Sequence, residues 1–133
     1  QEINKVTKKK FNFTFTPHLA PMFRGILSTI YFDSYKKINI AKIYKCLNQY
    51  YKNKIFVKVL KINSLISTND VIGTNNCYLS ICKTKNKNKY IILSAIDNLI
   101  KGGAGQAIQN MNIKFKFSET LGLKWKNFFL LYL

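Results

Sequence analysis

The chain has 133 residues and a mass of 15.5 kDa, room for one domain or part of one. Hydrophobic residues make up 47% and aromatics 14%, which excludes a disordered polar tail and supports a buried core. The formal charge of +17, from 22 basic and 5 acidic residues, raises nucleic-acid or anionic-surface binding as a reading.

Up to Lys10 the chain is polar and lysine-rich and reads as a solvated connector. Phe11, Phe13 and Phe15 then alternate with Asn12, Thr14 and Thr16, the period of a strand with one buried face. Pro17 ends it. Gly25 to Phe32 is nearly all apolar and predicts a second strand in a central place. Asn39 suits a helix N-cap, and Ile38 can staple onto Ile43. Ile40, Ile43, Tyr44, Leu47 and Tyr51 recur at helical spacing, with Lys42, Lys45, Asn48 and Lys52 on the other face, so the helix runs to about residue 52. Ile55 to Leu60 predicts a third strand, and residues 61–76 a polar loop. Cys77 to Lys83 and Tyr90 to Ile96 predict two more strands joined through Thr84 to Lys89, the second buried on both faces in mid-sheet. A glycine-rich helix is expected over about 99–117, and an apolar tail from Trp125 to Leu133. Residues 124–133 are assigned to no element.

The charge reads as composition more than as a phosphate-binding surface. Of the 22 basic residues, 21 are lysine and one is arginine, Arg24. Lys, Ile and Asn, whose codons are richest in A and T, make 53 of the 133 residues. Phosphate and base readers favour arginine for its planar fork. A small lysine-rich nucleic-acid-binding protein is therefore the alternative reading, and no specific nucleic-acid partner is expected. No apolar run nears the roughly 18 residues of a membrane span, and Gln1-Glu2-Ile3 opens no leader pattern, so no membrane partner is expected either. The cysteines, Cys46, Cys77 and Cys82, are odd in number with no C-x-x-C pair, and His18 is the sole histidine. Neither a disulfide framework nor a metal site is expected, and a reducing, cytoplasmic setting fits.

Two stretches carry candidate chemistry. Asp97-Asn98-Leu99-Ile100-Lys101-Gly102-Gly103 joins a buried strand to a helix start, where backbone N–H groups can face an anion. The bland alternative is a tight turn in which Asp97 caps the helix. Thr16-Pro17-His18-Leu19-Ala20-Pro21-Met22-Phe23-Arg24-Gly25 is a stiffened loop holding the lone histidine and the lone arginine. Arg24 can clamp an anion with its fork. His18 could be an acid, a base or an orienter.

These blocks, with Gly73-Thr74-Asn75-Asn76-Cys77, Ser94 to Asn112 and Glu119-Thr120-Leu121-Gly122-Leu123, resemble the N-acetyl-gamma-glutamyl-phosphate reductase family in unbroken order over residues 1–123. Gly103 stands where the family usually has alanine. The resemblance implies an α+β fold with a mixed, mostly antiparallel sheet and helices on one face. That is the C-terminal domain type of glyceraldehyde-3-phosphate and aspartate-semialdehyde dehydrogenases, here without the N-terminal Rossmann domain. Residues 1–123 would be part of a catalytic/dimerisation domain, with the helix at 99–117 on the cofactor side. The implied activity is the NADP(H)-dependent reductive dephosphorylation of N-acetylglutamyl 5-phosphate to its semialdehyde in arginine biosynthesis, in a cytoplasmic homo-oligomer. The family's nucleophilic cysteine turn and catalytic histidine motif are not matched in this chain. Cys77-Tyr78 is followed by Leu79-Ser80 where the turn has Pro-Thr. No catalytic residue is therefore assigned, and the chain is expected to be inactive alone. By the resemblance Arg24 and His18 belong to the substrate side, with His18 orienting the loop. Asn98 would stand beside the nicotinamide carboxamide, with Lys101 and Gly102 near the cofactor.

Overall fold

The computed structural model describes residues 5, 6, 8, 12–86 and 88–124. Six elements define it: β1 (Ile26–Asp33), α1 (Ile40–Tyr51), β2 (Val57–Val59), β3 (Cys77–Lys83), β4 (Lys89–Ile96) and α2 (Gly105–Lys114). The four strands form one mixed sheet in the order β1-β4-β3-β2. β4 pairs antiparallel with β1 and with β3, and β2 joins β3 in parallel. The expected mid-sheet place of the Tyr90–Ile96 strand holds.

The register explains which layer covers which face. Ile96 and Tyr90 lie an even number of residues apart, so their side chains leave one face of β4. On that face the Tyr90 hydroxyl bonds both backbone groups of Ile38, at 2.8 and 2.7 Å, just before α1. Gly102 approaches Ile96 and Ile26 on the same face, just before α2. The opposite face, with Tyr78, Leu93 and Ala95, is covered by Leu60, Ile66 and Val71 from the long connection between β2 and β3. Val71 and Ala95 are wholly buried there. α1 behaves as its pattern predicts. Asn39 caps it, its Oδ1 accepting from Ala41 N at 2.9 Å, and Ile40, Ile43, Tyr44, Leu47 and Tyr51 are its half-buried face.

Four expectations need correction. The alternating phenylalanines mark no strand: residues 12–20 have no regular structure, with Phe13 58% and Phe15 80% exposed. A period-two pattern prepares a face for burial, but a strand also needs a neighbour's N–H and C=O groups. None among the described residues reaches this stretch. β1 is an edge strand and not central, and its Tyr31 is 73% exposed. The third strand shrinks to Val57–Val59. The expected 99–117 helix is two pieces: a wide π turn over Ile100–Ala104, in which Gly103 leaves the helical path at φ −145° and ψ −114°, and then α2. α2 closes through Phe117 N donating to Asn112 O at 2.8 Å, with Lys116 at φ 59° as the left-handed residue between. The apolar tail from Trp125 and the connector residues other than 5, 6 and 8 lie outside the described residues.

Candidate functional site

Where β4 ends, Asp97 is wholly buried at the meeting of three segments. Its Oδ1 accepts from Leu99 N and Ile100 N, both at 2.9 Å, so it caps the following turn. Its Oδ2 accepts from Gly73 N at 2.9 Å, and Gly73 takes the left-handed φ of +75° that presents this N–H. Arg24 Nε lies 3.1 Å from Oδ1 and 2.9 Å from Oδ2. Burial pushes the Asp97 carboxyl up, but the backbone donors of Gly73, Ile100 and Leu99 and the Arg24 charge outweigh it and hold the group below its ordinary range. The N–H groups once free to face an external anion at this junction are thus taken by Asp97 itself.

Asn98 adds the second staple. Its Oδ1 accepts from Gly25 N at 2.8 Å, across 73 residues of sequence. Gly25 has φ +110°, and a Cβ there would meet the Thr68 side chain at 2.7 Å, so only glycine fits between Asn98 and Thr68. Arg24 and Asn98 are therefore brought together, one residue from each other's partner. His18 is not part of this knot. Its ring is exposed, and Nδ1 meets Thr16 O at 3.1 Å within its own loop.

Lys101 turns inward. Its Nζ donates to Gln109 Oε1 at 2.7 Å and lies 5.5 Å from the centre of the Phe56 ring. Burial pushes the ammonium below the ordinary lysine range, against the pull of Cys77 and Glu119. Gln109 also accepts from Asn75 Nδ2 at 2.9 Å and donates to Glu119 Oε1 at 2.7 Å. Gly102, by contrast, is exposed, and a Cβ there would meet only ordinary contacts from 3.5 Å outward. The close approach that the glycine run foretold belongs to Gly105, where a Cβ would lie 2.5 Å from Asn75 Oδ1. Asp97 caps the turn as the tight-turn reading expected, but its long-range partners Gly73 and Arg24 and the Asn75–Gln109 pair were missed. One signal was present: Asp97 is one of only 5 acidic residues, placed straight after an apolar strand, while Arg24 is the one arginine. Cys46, Cys77 and Cys82 are all free thiols, and the described residues hold no cluster of metal-ligand side chains. Among the described residues no helix is long and apolar enough to cross a membrane.

The described residues thus form a small α+β domain, a four-stranded mixed sheet with two helices and this knot at the end of the inner strand β4. The sequence matches the semialdehyde dehydrogenase dimerisation domain over residues 1–98, and the chain belongs to that family. It is similar to the N-acetyl-gamma-glutamyl-phosphate reductase of Thermoanaerobacter pseudethanolicus, with 46% identity over 123 residues, 92% of this chain and 36% of that protein. Reductases of the same name from Vesicomyosocius okutanii and Clostridium botulinum (strain Alaska E43) match at 48% and 47% identity, over 93% and 91% of this chain and 35% of each relative. The chain thus spans about a third of the length of the curated relatives it matches.

Proposed function

We propose that this chain supplies the dimerisation domain and one wall of the active site of an NADP(H)-dependent N-acetyl-gamma-glutamyl-phosphate reductase, acting on N-acetylglutamyl 5-phosphate in arginine biosynthesis. The observation that carries this reading is the Arg24–Asp97–Asn98 knot inside a stretch 46% identical to such a reductase. Arg24 offers a fixed guanidinium to the phosphate or carboxylate of the substrate. His18 sits on the same loop and shapes its entry. Asn98 fits the nicotinamide carboxamide in part. Its Oδ1 is engaged by Gly25, while its Nδ2 makes no hydrogen bond among the described residues and can donate to a carbonyl. Gly102, exposed and without a side chain, leaves room beside it. Lys101 fits less well, since Gln109 and the Phe56 ring hold its ammonium. The bound dinucleotide would supply the hydride. The chain's own residues orient the acyl phosphate and offset its charge. The nucleophile and the acid/base come from outside this chain, which by itself is inactive. Residues 1–123 form the working unit, pair with a second copy, and act in the cytoplasm.

The test joins this chain to the preceding part of the Thermoanaerobacter pseudethanolicus reductase and follows NADPH oxidation with N-acetylglutamyl 5-phosphate. Turnover by the joined protein, and none by the chain alone, is expected. A joined protein that is folded and dimeric yet inactive would overturn the reading. Arg24→Ala should then lower kcat/KM by about 100-fold or more, and Asn98→Ala should raise the cofactor KM.

A further inference from the structure

Arg24 meets Asp97 in an unusual way. Both carboxylate oxygens lie within 3.1 Å of Nε, and neither terminal nitrogen has a hydrogen-bond partner among the described residues. Nor is either terminal nitrogen among the buried atoms left without a partner, so both reach solvent. The side chain is 15% exposed and its partner 0%. Asp97 cannot swing, since Gly73, Leu99 and Ile100 hold its oxygens from three sides. The Arg24 backbone cannot swing either, with Gly25 pinned to Asn98 and seated on Thr68.

We propose that Asp97 is a positioning residue: it occupies the Nε edge of Arg24 so that the Nη edge faces outward as a preset fork for one oxyanion. This rests on the reading of Arg24 given above and deepens it. Pairing lowers the pull of the cation on an anion, and what is gained is orientation, since the fork need not be ordered when the anion arrives. The chemistry required of the ligand is two oxygens of one phosphate or one carboxylate, matched to two parallel N–H donors.

The lone arginine makes the idea measurable in the chain itself. In a ¹⁵N-labelled sample one arginine Nε–H signal exists, and it belongs to Arg24. Its exchange with water should be at least about tenfold slower than in free arginine, as expected for a held, part-buried donor. Inorganic phosphate and acetate are then titrated at constant ionic strength, with chloride as control. The Arg24 signal and the Gly25 amide should shift with one of them. Phosphate alone would point to the acyl-phosphate end of the substrate, and acetate alone to its carboxylate. Asp97→Asn should speed the Nε–H exchange and weaken the anion shift about tenfold while the amide spectrum stays dispersed. Arg24→Gln should abolish the Gly25 shift, separating this site from the 21 lysines. Free exchange in the wild-type chain would overturn the positioning role even if anions still bind. Slow exchange with no anion shift would overturn the fork as a ligand site and the Arg24 reading with it. If Asp97→Asn does not fold, the wild-type exchange and the two titrations still decide.

Discussion

Among the described residues two buried polar knots stand out, and they are built to different standards. Around Asp97 every carboxylate contact is filled, by three backbone N–H groups and the Arg24 guanidinium. Around Gln109 the acceptors outrun the donors: Lys101, Asn75 and Glu119 are all bonded, but among the described residues the buried carbonyl oxygens of Asn75 and, three residues further along α2, Asn112 find no partner. Asn75 Oδ1 spends its reach against the bare Cα of Gly105. A charge in a dry site must be satisfied or neutralised, whereas an amide oxygen can go short at a cost of about 1–3 kcal/mol. The first knot fixes where segments meet. The second clamps α2 and residues 119–121 to the loop before β3, and tolerates imperfection.

This contrast predicts a ranking. Asp97→Ala should destabilise most, by about 3–5 kcal/mol, because it leaves the part-buried Arg24 without its counter-charge and three N–H groups without acceptors. Urea denaturation of the chain at neutral pH measures it. The pH dependence has a definite sign. A carboxyl held below its ordinary pKa, 3.8, contributes stability that is complete above that pH and is lost as pH falls through the folded value. The gap between wild type and variant should therefore be constant at neutral pH and shrink below 3.8. A gap unchanged down to strong acid would mean that Asp97 acts by packing alone.

Gly25→Ala should come next, at about 2–4 kcal/mol. The left-handed backbone at φ +110° and a Cβ within 2.7 Å of Thr68 each add to the strain. A loss equal to that of a surface glycine would show that the Arg24 loop is held by Asp97 and not by its backbone seat. In the second knot Gln109→Leu should cost about 1–3 kcal/mol, since Lys101, Asn75 and Glu119 all lose a partner but only Asn75 is wholly buried. Should it exceed Asp97→Ala in the same urea series, the ranking of the two knots is reversed.

The sequence made some of this legible, and the reasons differ by element. α1 could be read because cap, staple and apolar stripe all agree. β4 could be read because both its faces are apolar, and β1 misled for the same reason, since apolar faces do not tell an inner strand from an edge strand, whose free side is backbone. Phe13 and Phe15 announce a face without supplying the neighbour that would bury it. Arg24 stood out as the lone exception to a lysine-only habit, yet its partner did not, because 73 residues separate them and Asp97 already had a sufficient local reason to exist as a cap. The glycines after Lys101 signalled close approach, and the tight one proved to be Gly105 and not Gly102. Long-range pairings of this kind leave only weak traces in composition or period.

The smallest effect tests the most specific claim about the second knot. Lys101 places an ammonium under Phe56 and against Gln109, and burial has pushed it below the ordinary lysine range. Lys101→Met keeps the apolar stem against the ring and removes the charge that dislikes its surroundings. Gln109 Oε1 still receives Asn75 Nδ2, so no buried acceptor is abandoned. The net change at pH 7 should lie within about 1 kcal/mol of zero, one hydrogen bond lost against one desolvated charge relieved. Because the folded group binds its proton less tightly than the unfolded one, wild type gains stability as pH rises from the folded value toward 10.5, and the methionine variant gains none of it. Wild type should thus improve relative to Lys101→Met between neutral and alkaline pH. A loss of several kcal/mol at pH 7, or a shift of the opposite sign, would show that Lys101 is an essential ion partner of Glu119 and that the second knot is as exacting as the first.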